Sequence, residues 1–233
     1  MQTDHLRRGR ALGHRIWPWL LFALLAVTAQ SAAHLGNEFL LDGRYRSLDA
    51  AVDASVFGRA NSLVIGLSAV LVALAARQTT RRAPRLLLSA CLLIVMADDA
   101  TGLHDRLDLS ARKAMLGLAF ACLLALTAWL LLREAALATR APRVLLVLGL
   151  AALASAVAVR VIEEASAVGA GLDATEKALG VAAEQGLDFA GWVLVATGLY
   201  ALLAERKEDE LGRRSYFQRP TEAASATASR RGF

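Results

Sequence analysis

Val144-Leu-Leu-Val-Leu-Gly-Leu-Ala-Ala-Leu-Ala-Ser-Ala-Val-Ala-Val-Arg160-Val-Ile162 carries one charge in nineteen residues, and it decides the fold class. A helix rises about 1.5 Å per residue. A run of about 20 apolar residues therefore spans the hydrocarbon of a bilayer. Working outward, similar runs recur at roughly 16–35, 58–76, 86–104, 114–132 and 178–204, separated by charged breaks. Hydrophobic residues make up 56% of the 233-residue chain. That exceeds the roughly 45–50% typical of soluble domains, and the excess lies in these blocks. The sequence predicts an all-α, polytopic transmembrane helix bundle of about six spans.

The charges predict an orientation. The segment before the first run, the breaks after the second and fourth, and the tail together hold 18 of the 26 Lys and Arg residues. Basic residues accumulate on the cytoplasmic side of membrane proteins. Both termini are therefore expected in the cytoplasm, with a basic N-terminus over 1–15, a transmembrane domain over 16–204 and a disordered tail over 205–233. The alternative for the first run is a signal peptide, given its basic start and the small residues Ser31-Ala32-Ala33. The first outer loop, 36–57, is long enough to hold a short interfacial helix. The clustering of basic residues between apolar runs argues against nucleic acid, despite a net charge of +5. Membrane lipids are the expected partners. Cys91 and Cys122 lie in different apolar runs, and two cysteines make neither a disulfide framework nor a zinc ribbon.

The acids are distributed the other way. Fourteen of the 21 Asp and Glu residues fall on the outer side or in the outer half of a span, and His34 and His104 join them. Asp98 and Asp99 in the third run, and Glu184 and Asp188 in the sixth, lie at membrane depth. There a charge costs at least about 2.5–3.5 kcal/mol on insertion scales, so such residues face the bundle interior and have a partner or a task. Glu184 and Asp188 are spaced i, i+4 and share a helix face, which Gly180 and Gly191 extend. Small residues on such a stripe let another helix approach. Asp98 and Asp105 share a face, while Asp99 and His104 project elsewhere on a regular helix. His34 with Glu38, and Arg160 with Glu164, are also i, i+4 pairs, and the second reads as an intrahelical ion pair.

Clustered carboxylates raise one another's pKa, and a divalent cation removes that conflict. Carboxylate and imidazole without thiolate suit Zn, Mn or Fe. Asp98, Asp99, His104, Asp105, Glu184 and Asp188 are the candidate metal ligands, with His34, Glu38, Glu163 and Glu164 as additional candidates. No residue stands out as catalytic. Proton passage and a polar network that locks helices together are the alternatives.

Two stretches resemble an uncharacterised family of bacterial multi-pass membrane proteins. One is Met96-Ala97-Asp98-Asp99-Ala100-Thr101-Gly102-Leu103-His104-Asp105, an acidic pair followed after four residues by His-acid. The other is Ala183-Glu184-Gln185-Gly186-Leu187-Asp188-Phe189-Ala190-Gly191. A third, Leu48-Asp49 through Asn61, matches loosely. Relatives more often carry Asp-Glu and His-Glu where this chain has Asp98-Asp99 and His104-Asp105. The resemblance implies residence in a bacterial cytoplasmic membrane and strengthens the choice of site residues, but it brings no established activity. Three functions are consistent with these readings: a metal-dependent membrane enzyme acting on a lipid or envelope substrate, a proton, ion or solute transporter, and a non-catalytic assembly or accessory protein.

Overall fold

The computed structural model describes residues 2–45, 47–49, 55–77, 79, 82–101, 110–169 and 173–229. Every regular element among them is an α-helix. They are α1 (Gln2–Leu41), α2 (Val56–Arg77), α3 (Arg82–Thr101), α4 (Ser110–Leu137), α5 (Arg140–Gly169) and α6 (Ala174–Ser229). α6 continues through positions 205–229, over the segment read as a tail. α1 takes in the start of the expected first loop and ends at Leu41; the described residues after it form turns.

Among the described residues, five helices are long and apolar enough to cross a membrane, one fewer than expected. The qualifying stretches are Leu20–Leu41, Val56–Arg77, Gly117–Leu137, Arg140–Glu163 and Ala174–Lys207. The missing one is α3, whose short length includes Arg82, Arg85, Asp98 and Asp99. It nevertheless runs antiparallel to α2 along most of its length. Arg85 Nη1 donates to the Ala75 carbonyl at 3.2 Å, Ser89 Oγ to that of Ala69 at 3.0 Å, and Asp99 meets Asn61 and Ser62.

The contacts α2–α3, α3–α4, α4–α5, α5–α6 and α6–α2 close a ring, and α1 leans on α6 from outside it. The ring encloses Ile65, Val72, Leu88, Leu92, Leu131, Leu146, Trp192 and Val195. Its outer surface is apolar as well: Leu63, Ile94, Leu118, Val157 and Ile162 are all more than half exposed. In water such a surface would be an aggregation liability, whereas in lipid it faces a matching solvent. Helices that gain nothing from hiding apolar surface are held by close packing instead. α5 and α6 meet in this way. A Cβ on Gly149 would lie 2.8 Å from the Gly191 carbonyl oxygen and 3.0 Å from the Val195 nitrogen, so backbone approaches backbone there.

A buried ion pair ties the end of the bundle where α2 gives way to α3. Arg85, 2% exposed, donates to Glu134 Oε2 through Nη2 at 2.6 Å and Nε at 3.1 Å. Arg206 Nη2 lies 3.7 Å from the same oxygen, so α3, α4 and α6 converge on one carboxylate. By sequence Arg85 falls in the basic break after the second run and Glu134 just beyond the fourth; together they are a bundle contact. Breaking a buried pair leaves an uncompensated charge and costs about 3–5 kcal/mol, whereas replacing both partners with apolar groups of similar volume is close to neutral. Glu134→Leu alone is therefore expected to lower the thermal stability of the detergent-purified protein sharply. Arg85→Met with Glu134→Leu should recover most of that loss, as read in the same melting assay.

Candidate functional site

Two polar clusters occupy the opposite end of the bundle. The first joins α2, α3 and α6. Asn61 is 5% exposed, and its Nδ2 donates to Asp188 Oδ2 at 2.7 Å and to Asp99 Oδ1 at 3.3 Å. The Ser62 hydroxyl donates to Asp99 Oδ2 at 2.5 Å. One amide thus bridges two carboxylates from helices distant in sequence. Its Oδ1 is buried and has no hydrogen-bond partner among the described residues. A buried polar atom left so costs roughly 1–3 kcal/mol, which marks a place for a water or a ligand.

The second cluster is built by a turn. α1 ends where Asp42 and Gly43 adopt positive φ angles of 51° and 68°. The Gly43 N–H donates to the Asn37 carbonyl at 2.9 Å, and the Tyr45 N–H to Asn37 Oδ1 at 3.0 Å. This left-handed cap reverses the chain over the helix end. The following segment is fastened to α2 by Val56 N–H to Ser47 O at 3.1 Å, and Ser55 Oγ accepts from Gly58 N–H at 3.1 Å as the cap of α2. The result carries Asp49 back beside His34, with Nδ1 of the imidazole 3.6 Å from Asp49 Oδ1. His34, Glu38 and Asp49 each offer one ligand atom, and these atoms lie within 4.8 Å of one another. His34 is 2% exposed and the two acids are half-buried. Zinc sits about 2.0–2.2 Å from nitrogen and oxygen ligands, so the three side chains would close in slightly around it. Asn37, next to Glu38 in the chain, is 1% exposed and keeps a buried Nδ2 without a hydrogen-bond partner among the described residues.

The expected ligands divide between these places. Asp99 and Asp188 meet across Asn61. His34 and Glu38, the additional candidates, belong to the group whose composition suits a metal, together with Asp49. Asp98 and Glu184 are half-buried on α3 and α6. His104, Asp105 and the side chain of Glu164 lie outside the described residues, so the expected Arg160–Glu164 pair does too. Glu163 packs across the face of Gly180, where a Cβ would collide with its carboxyl, and its Oε1 is buried without a hydrogen-bond partner among the described residues. Asp173 and Glu176, counted among the outer acids, are a capping box at the start of α6. Glu176 N–H donates to Asp173 Oδ1 at 2.7 Å, and Asp173 N–H to Glu176 Oε2 at 3.1 Å.

A family described as a domain of unknown function, DUF8692, matches residues 19–202. The chain belongs to that family. The match runs from the first apolar run to the last and takes in both polar clusters. It agrees with the resemblance to an uncharacterised family. No curated protein and no solved structure matches the chain.

Sequence reasoning passed over Asn61, Ser62 and Asn37, whose amides and hydroxyl organise the acids. Asn61 stood at the end of the loosely matched stretch, but nothing in its neighbours showed what it would face. Its role is testable. Hydrogen bonds to charged groups contribute about 1.5–3 kcal/mol each, and Asn61→Leu removes the donor between two carboxylates while keeping the shape. The variant is expected to melt well below the wild type in detergent, and adding Asp99→Asn should recover part of the loss. Equal melting temperatures for wild type and Asn61→Leu would contradict the bridging role.

Proposed function

We propose that this protein is an integral membrane protein that holds a divalent cation, Zn, Mn or Fe, at the outer ends of its helices and acts there as a metal-dependent enzyme on a lipid or envelope substrate. The observation that carries the reading is the convergence of His34, Glu38 and Asp49, a buried imidazole with two carboxylates on a turn that brings distant residues together. A cation in this position lowers the pKa of a bound water or polarises a substrate oxygen. Asn37 Nδ2 is a donor for an incoming oxygen in the same region. Asp99 and Asp188 form a second acidic centre close to the ends of α2 and α3, with Asp98 and Glu184 of the expected set on the same two helices, α3 and α6.

All six helices cross the membrane in this reading. α3 does so because its charges are met internally, Arg85 by Glu134 and Asp99 by Asn61 and Ser62. Both termini then lie on the side rich in Arg and Lys, the cytoplasm of a bacterial inner membrane. A transporter would need a polar route onward. The described core between the two ends is instead Ile65, Leu92, Val95 and Val195, which disfavours that alternative. An accessory role would leave cation binding without a purpose.

Elemental analysis of the purified protein provides the test. The wild type should carry about one ion per chain, a single site in mass-action terms. His34→Ala and Asp49→Asn should lose it while staying folded. Absence of metal from a folded wild type, even after Zn, Mn and Fe are added back, would overturn the proposal. Metal lost in Asp188→Asn but kept in His34→Ala would move the centre to the acidic cluster.

A further inference from the structure

Between α1 and α2, on the face of α6, lies a cavity of about 300 Å³. Phe22 of α1, Val64, Leu67 and Leu71 of α2, and Val193 and Ala196 of α6 form its walls. It is a groove open to the side. α1 and α2 both pack on α6, and the rim residues Phe22, Leu67 and Tyr200 are 55%, 45% and 39% exposed. The lining offers almost no polar contact, because the one hydroxyl in its depth, that of Thr197, donates to the Val193 carbonyl of its own helix at 2.7 Å. All three helices are membrane-crossing stretches here, so the medium at the opening is hydrocarbon. Volumes of this size hold small ligands.

The groove has a polarity. At its upper limit, Ala23, Val27, Ala60 and Phe189 pack together. Toward the other end, the stripe of α6 that lines it continues past Tyr200 to Lys207, which is i+7 from Tyr200 and so on the same face. Lys207 is exposed, Arg77 ends α2 at the same end of the bundle, and Trp17 of α1 is 66% exposed. Basic residues with an exposed Trp are what a membrane–water interface carries. The fourteen steps from Val193 to Lys207 rise about 21 Å at ~1.5 Å each. That is about half the ~40–45 Å thickness of a bilayer with its headgroups, or one leaflet.

We infer that the groove is a binding site for an anionic phospholipid, with one acyl chain lying along α6 between α1 and α2 and the phosphate at Lys207. The charge of Lys207, two turns beyond the groove, selects the headgroup, the apolar wall takes the chain, and the length from Val193 to Lys207 matches both to one leaflet. The inference does not rest on the cation site, which lies at the other end of the bundle.

The test uses the full chain in nanodiscs containing phosphatidylglycerol with a photoactivatable group on its acyl chain. Adducts should concentrate on Phe22, Leu67, Leu71 and Tyr200, above the level on the lipid-facing residues Leu118, Val147 and Val157 of α4 and α5. Lys207→Gln should reduce retention of phosphatidylglycerol in native mass spectrometry by about five-fold, the contribution of one interfacial lysine. Ala196→Trp should abolish the adducts by filling the groove. Leu67→Trp, on the exposed rim, serves the same purpose if Ala196→Trp does not fold. Labelling spread evenly over every lipid-facing helix would overturn the inference. So would equal retention of phosphatidylcholine, or a crosslink showing a second copy of the chain in the groove.

Discussion

A charged group in hydrocarbon has no water to turn to, so the chain itself has to supply its partner. This constraint shapes the bundle more than apolar attraction does, since helices and lipid tails are equally oily. It places Arg85 against Glu134 and the backbone of Ala75 at one end. At the other it places Asn61 between Asp99 and Asp188. Each arrangement uses helices far apart in sequence, so satisfying the polar groups also selects which helices are neighbours. α3 depends on this most. Too polar to qualify as a span by composition, it is held by α2 and α4 through the very residues that make it polar.

The two ends solve different problems. At the Arg85–Glu134–Arg206 end the buried charges meet each other, which is what a structural lock requires. The opposite end is half-buried and keeps polar atoms without hydrogen-bond partners among the described residues, Asn61 Oδ1 and Asn37 Nδ2. It also brings an imidazole and two carboxylates together by means of a left-handed turn at Asp42-Gly43. Open, polar and partly unsatisfied surroundings are where chemistry is found. The apolar core between the ends, centred on Ile65, Leu92 and Val195, keeps them apart.

Much of the fold is legible in the sequence because hydropathy is local. The apolar runs lie close to the stretches that qualify as spans. The exception, α3, failed because four charges outweigh its leucines, and only tertiary partners reveal why they are tolerated. The choice of an acidic end was legible in the positions of Asp99 and Asp188. The grouping was not. Periodicity along a helix places Glu184 and Asp188 on one face, but it cannot show that Asn61 will bridge Asp188 to Asp99. His34 and Glu38 are readable as a pair, one turn apart. Asp49 is not readable as their companion, because its position depends on how two residues with positive φ return the chain over the end of α1. Similarly, Asp173 and Glu176 belong to helix capping rather than to any cluster of ligands.

The central proposal is that His34 contributes its imidazole to a bound cation. Mn²⁺ serves as the spectroscopic probe, added to the purified protein in detergent and examined by electron spin-echo envelope modulation. A cation held by His34, Glu38 and Asp49 gives nitrogen modulation from a directly bound imidazole, and His34→Gln removes it while leaving the fold intact. A wild-type spectrum indistinguishable from that of aqueous Mn²⁺, without nitrogen coupling, would contradict the proposal.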